Sequence, residues 1–189
     1  MAVVMHTEAL PDDPTGLRWV LPAGLPGTGR LLAAPGEFGA LLADGRIVRA
    51  MAEPRALWIW QPPELDWSQT GAGVRDALIG ALADPAGWSF EAAEDELLEL
   101  VTRDVITRTL GPYIDSHGGQ ITFVRAAAGE VVLQLSGACA HCSVAGMTLH
   151  DRIQTTICER LDAAISVQEA DGGCGERTGR PVWWPRLRR

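Results

Sequence analysis

The residues best equipped for chemistry are Cys139 and Cys142, in the stretch Gly137-Ala138-Cys139-Ala140-His141-Cys142-Ser143. Two cysteines at this spacing in a tight loop can turn both thiolates to one side and hold one metal ion or one edge of a cluster. Soft thiolates select zinc, copper(I) or iron–sulfur clusters. A helical pattern opens directly after Cys142. A helix N-terminus offers free N–H groups and positive potential, and both favour the thiolate. Gly137 and Ala138 are small and leave room for a bulky ligand.

Two ligands are half of a site, because a tetrahedral zinc or a four-iron cluster needs about four. Cys158 lies sixteen positions past Cys142, roughly 24 Å along a helix at 1.5 Å per residue, so it does not reach the pair. It reads as a small buried hydrophobe. Cys174 reads as a tail thiol. The simplest completion is a symmetric dimer in which each protomer gives Cys139 and Cys142 across a two-fold axis. Two other readings stay open. A zinc-binding module would recruit His117, His141 or His150. A dithiol oxidoreductase of thioredoxin type also places C-x-x-C between a strand and a helix, but inside a βαβ unit. Here a β-hairpin precedes the pair.

The elements that must mount this loop are legible around it. Leu97, Val101 and Val105 form one apolar row, with Leu98 and Leu110 beside it, so a helix is expected from about Glu91 to Leu110, with Ser89 as its cap. Glu91, Glu94, Asp95 and Glu96 load its first turns, where acids suit the helix dipole. Gly111-Pro112 interrupts the pattern, and His117-Gly118-Gly119 ends it. Ile121 and Phe123 share one face of a strand; Val131, Leu133 and Leu135 share one face of the next. Ala127-Ala128-Gly129-Glu130 supplies the hairpin turn. A helix follows over about Ser143–Ala163, striped by Leu149, Ile153, Ile157 and Leu161, and Ile165-Ser166-Val167 makes a last short strand. The fold class is α+β with two small domains, the C-terminal one ordered α-β-β-α-β with the C-x-x-C loop between hairpin and helix.

The first half reads as a small mixed domain. Strands are expected at Arg18–Leu21, Gly29–Leu32, Gly45–Met51 and Arg55–Gln61, and helices at Pro35–Leu42 and Val74–Leu82. The acids Glu64 and Asp66 sit in a Pro-rich loop without a partner and make no catalytic pair. Trp19, Trp58, Trp60, Trp67 and Trp88 read as packing residues, since no basic residues interleave them as a stacking platform for bases would require. Domains are expected at 1–86 and 87–168, with a Gly-rich tail at 169–189.

The whole chain has 189 residues, a net charge of -8, and sixteen basic residues that are all Arg. The negative balance argues against nonspecific nucleic-acid binding, which depends on cations meeting phosphates. Without lysine there is no Schiff-base or Walker-type chemistry. No apolar run approaches the roughly 20 residues that span a bilayer, and the N-terminus lacks a signal or transit pattern. The expectation is a cytoplasmic protein acting on neither membrane nor nucleic acid.

Residues 95–168 resemble the C-terminal domain of the NifU family, the Nfu-type iron–sulfur carriers. The resemblance runs through Pro112-Tyr113-Ile114, His117-Gly118-Gly119, the hairpin, Gly137-Ala138-Cys139-Ala140-His141-Cys142, Thr148-Leu149 and Ile153. The first half is similar, more weakly, to the Nfu N-terminal domain at His6-Thr7-Glu8, Pro14-Thr15-Gly16-Leu17-Arg18-Trp19 and the helix near Ala77, and it departs from that pattern over 35–70. The resemblance implies a non-catalytic carrier, with client docking as the role of residues 1–86. It implies one labile [4Fe–4S] cluster per homodimer, with [2Fe–2S] as a variant, held by Cys139 and Cys142. It further implies an upstream assembly scaffold as donor and apo iron–sulfur proteins as recipients.

Overall fold

The run Ala56-Leu57-Trp58-Ile59-Trp60 is apolar at every position, the pattern of a strand covered on both faces rather than one. A computed structural model describes residues 5–116, 118–137 and 143–170 and shows what covers it. The first sheet holds β1 (His6–Leu10), β2 (Asp13–Val20), β3 (Gly29–Ala33), β4 (Arg49–Glu53), β5 (Ala56–Trp60) and β6 (Ser89–Glu91). Its order is β1-β2-β5-β4-β3-β6, antiparallel throughout. Leu57 and Ile59 point to one face, where α1 (Gly36–Ala43) and α2 (Trp67–Leu82) bring Phe38, Leu41, Val74 and Leu78 against them. Trp58 and Trp60, with Met51 of β4, enter a second core on the opposite face.

That second core is built by the rest of the chain. Helix α3 (Glu94–Asp104) gives Leu97, Leu98 and Val101, all buried. A π-helical segment, Val105–Leu110, and α4 (Gly111–Ser116) continue its course. Then come β7 (Gly119–Ala127), β8 (Glu130–Gly137), α5 (Ser143–Leu161) and β9 (Ser166–Glu169). Strands β7 and β8 pair antiparallel, and β9 lies parallel to β8. Val131, Leu133 and Leu135 of β8 meet Leu149, Ile153 and Ile157 of α5 in the core. The hairpin turn has positive φ at both central residues, Ala128 at 52° and Gly129 at 76°, as a two-residue loop matched to strand twist requires.

Several expectations are corrected here. The segment Ser89–Glu91 is a strand that pairs with β3, so Ser89 caps nothing; α3 starts at Glu94 behind Ala93, which makes no side-chain cap. At Gly111-Pro112 the interruption read from the sequence is present, and the helix runs on as α4 to Ser116. A proline ring inside a helix clashes with the carbonyl four residues earlier, and here the chain widens into the π-helical turn just before it. Strand β1 was not expected, because as an outer strand it is mostly exposed and carries no alternation. The first part of β2 was hidden by Pro14 and Gly16. A side chain at Gly16 would collide with the Trp60 indole and with Leu10. Asp66 is the N-cap of α2 and accepts the Ser68 N–H at 2.7 Å.

Six charges join the two sides at the centre of this assembly. Arg18 of β2 donates through Nε and Nη2 to both oxygens of Glu53 on β4, at 2.9 and 3.0 Å. Arg160 of α5 grips the same carboxylate at 3.2 and 2.6 Å, and Trp58 Nε1 donates to it at 2.5 Å. Arg160 Nη1 also donates to Asp104 of α3 at 2.6 Å. Asp104 accepts from Arg108 at 2.5 Å, Arg108 reaches Glu8 of β1, and Glu8 accepts from Arg18 at 2.7 Å. The ring Glu8–Arg18–Glu53–Arg160–Asp104–Arg108 is closed and alternates in sign. Arg18 and Arg160 lie over Trp58, at 5.7 and 5.8 Å from its centre.

Glu53 is 1% exposed. Burial opposes its ionisation, but the bonds from Arg18 and Arg160 outweigh that and hold its pKa below the ordinary 4.5. Glu8 is lowered in the same way, against burial, by Arg108 and Arg18. A carboxylate with a depressed folded pKa stabilises the fold above its unfolded value, and that contribution is lost as pH falls through the folded one. Urea midpoints measured from neutral pH down through the glutamate range are therefore expected to fall below about pH 4.5. Glu53→Gln should lose about 3–5 kcal/mol at neutral pH, by stranding buried guanidinium charge. It should also show a shallower acid dependence than the wild type.

Candidate metal centre

Cys139, Cys142, Cys174, His117 and His141 lie outside the described residues. What the structure provides is the frame around the first two. Strand β8 ends at Gly137 and α5 begins at Ser143, so residues 138–142 span the junction from a buried strand to the helix packed on it. The strand side is pinned by backbone fit. Gly137 pairs with Gly119 of β7 and has φ +63°. A Cβ on Gly137 would stand 2.5 Å from the carbonyl oxygen of Gly118. Gly118 and Gly119 thus lie back to back with Gly137, the last described residue before the cysteine segment.

The helix side is pinned by packing and charge. Leu149, Ile153 and Ile157 are buried, and Arg160 anchors the far end of α5 in the ion ring. With β8 and β9 parallel, β8–α5–β9 is a βαβ unit, and the C-x-x-C segment is its first connection. The hairpin read from the sequence is present as well; the same strand serves both motifs.

Cys158 is placed where the sequence puts it, far along α5 from Ser143. It is half-buried near the end of α5, where its sulfur accepts the Ile165 N–H at 3.4 Å. About 22 Å of helix separate it from Ser143. His150 sits on α5 with Nε2 enclosed and without a hydrogen-bond partner among the described residues. Among the described residues no three His, Cys, Asp or Glu side chains group as a metal site. Of the tryptophans, Trp19, Trp58 and Trp60 are buried. The indole N–H groups of Trp67 and Trp88 bond the carbonyls of Thr15 and Asp84. The ring residues Glu53, Asp104 and Arg160 were not singled out from the sequence. The available signal was Glu53 itself, a lone acid closing the apolar run Ala50-Met51-Ala52.

Residues 103–168 match the family model of the NifU-like domain. The Fe/S biogenesis protein NfuA of Xanthomonas oryzae pv. oryzae is 33% identical over 169 residues, 78% of this chain and 82% of that protein. The protein of that name from Xylella fastidiosa is 27% identical over 82% of this chain and 85% of its own length. That of Xanthomonas campestris pv. campestris is 35% identical over 57% of this chain and 53% of its own. A C-x-x-C segment between a strand and a helix, and a relative matched along most of its length, define the class: the chain belongs to the NifU/Nfu family.

Gly137→Ala is the local test of the frame. It forces an L side chain into the left-handed region and drives a methyl into the Gly118 carbonyl, a strain of about 1–3 kcal/mol before relaxation. The expected result is a lower urea midpoint, together with faster amide hydrogen exchange confined to Gly119 and its β8 partner.

Proposed function

We propose that the chain carries an iron–sulfur cluster and passes it to apo iron–sulfur proteins, without catalysing a reaction of its own. The observation that carries this reading is a C-x-x-C segment mounted between β8 and α5 in a chain of the NifU/Nfu family. Its relatives bear the name Fe/S biogenesis protein. Cys139 and Cys142 are the ligands. Since a [4Fe–4S] cluster takes about four thiolates, two protomers supply one pair each, and the cluster lies on the axis of a homodimer. [2Fe–2S] is the alternative occupant of the same four thiolates. The donor is an upstream assembly scaffold in the cytoplasm. No helix among the described residues is long and apolar enough to cross a membrane.

The cluster is cargo here. Four thiolates, two from each protomer, hold it at a seam between subunits, so separation of the protomers or attack by an incoming client thiolate releases it. The N-terminus of α5 favours the thiolate form on which both loading and exchange depend.

One observation favours a second reading. The C-x-x-C segment opens a βαβ unit, which is the setting of a thioredoxin-type dithiol. Anaerobic reconstitution with iron and sulfide separates the two. The carrier reading predicts about four irons and four sulfides per dimer, and a dimer that dissociates when the cluster is removed. Iron uptake by Cys139→Ser equal to that of the wild type overturns it. Insulin reduction at a thioredoxin-like rate establishes the dithiol instead.

A further inference from the structure

We propose that Arg160 is a positioning residue for helix α5, through which the first sheet sets where that helix begins, at Ser143 directly after the C-x-x-C segment; the inference rests on the carrier reading for its functional consequence. Two kinds of contact hold α5. Its buried stripe, Leu149, Ile153 and Ile157, gives apolar contact along one face. Apolar contact is non-directional. It presses the helix onto the β8 face without a directional bond along the axis. Arg160 supplies the missing direction. Its guanidinium is fully engaged: Nε and Nη2 fork onto the two oxygens of Glu53, and Nη1 reaches Asp104. A forked pair of this kind fixes orientation as well as distance.

Both anchors are themselves held. Glu53, on β4, is fixed by Arg18 and by the Trp58 indole. Asp104, on α3, is fixed by Arg108, which reaches on to Glu8 of β1. Helix α5 is continuous from Ser143 to Leu161, and a hydrogen-bonded helix is stiff along its axis. A slip of about 1 Å at Arg160 therefore reaches Ser143 undiminished, against the roughly 0.5 Å to which a working site must be held. The first half of the chain is on this view a structural part of the cluster-holding unit.

The test compares full-length Arg160→Met, which keeps the length and apolar stem but removes the fork, with Arg160→Lys, which keeps the charge. Leu78→Ala serves as the control; Leu78 is fully buried in the other core and touches no part of the ring. Trypsin releases residues 126–152 as one peptide that contains Cys139 and Cys142 and neither other cysteine. The alkylation rate of that peptide in apo-protein, read by mass spectrometry, reports the loop without any cluster. Iron loss from reconstituted protein to a chelator reports the holding of the cluster. Both are measured well below the unfolding midpoint of every variant.

Arg160→Met is expected to raise both rates about three- to tenfold, Arg160→Lys to fall between it and the wild type, and Leu78→Ala to stay within about twofold despite a comparable loss of stability. The proposal is overturned if Arg160→Met stays within that twofold band, or if Leu78→Ala matches it. If Arg160→Met gives no cooperative unfolding transition, Asp104→Asn is read on the same scale with the same criteria. A wild type that takes up no iron would end the carrier reading while the alkylation rates still decide this one.

Discussion

The structure depends on a closed ring of six charges at the junction of its two cores. Three carboxylates and three guanidiniums alternate around it, from Glu8 through Arg18, Glu53, Arg160, Asp104 and Arg108. Burying ions is costly, and a buried pair is weak support for a fold when counted by itself. What this ring provides is geometry. Each charge meets two of opposite sign, so no member can be moved without leaving another unpaired in a poorly solvated place. Three members come from the first sheet and three from α3, the π-helical turn and α5. The seam between the halves is thereby fixed in register, where the surrounding apolar contacts of Trp58, Trp60 and Met51 with Leu97, Leu98 and Val101 would tolerate slip.

Around that seam the layers follow from simple pattern rules. One sheet is covered on both faces, so β5 is apolar throughout. Among the described residues the β7-β8-β9 sheet is covered on one face, and Val131, Leu133 and Leu135 alternate with less buried neighbours. Helix α5 is the element shared by site and seam: its first residue follows the cysteine loop, and its last turn carries Arg160. The loop is thus framed by two unlike constraints. On the strand side, Gly137 leaves no room for a side chain against Gly118. On the helix side there is a charge lock. The segment that carries the two cysteines thus runs between two fixed ends, Gly137 and Ser143.

Much of the C-terminal half was legible because its signals are local. The alternation of Val131, Leu133 and Leu135, the α5 stripe, and the Ala128-Gly129 turn each depend on residues within one element, and each has its expected place. The same locality explains the misses. Ser89–Glu91 resembles a capped helix start, yet its backbone pairs with β3, some sixty residues earlier. Strand β1 exists because β2 needs a partner at its outer side, and its own composition does not say so. Pro112 reads as an interruption, and only the packing of Leu110 and Ile114 into the core shows that the helix is held together there through a widened turn. At the candidate site, the two cysteines, their spacing and their shortage as a ligand set were visible in the chain. The contact of Gly118 with Gly137 was not, because the two residues are joined only through strand register.

The sequence by itself determined the chemistry on offer: two thiols at C-x-x-C spacing, too few to complete a four-ligand site, between a strand and a helix. It also determined the hydrophobic periodicities from which the helices and the hairpin follow. Only the tertiary structure decided that α5 is locked at its far end by Glu53 and Asp104, that β9 runs parallel to β8, and that the first sheet is continuous in packing with the C-terminal core. The physical reason is that each of these rests on pairing between residues far apart in the chain. A lone charge such as Glu53 or Arg160 carries no record of its partner until folding removes the water between them.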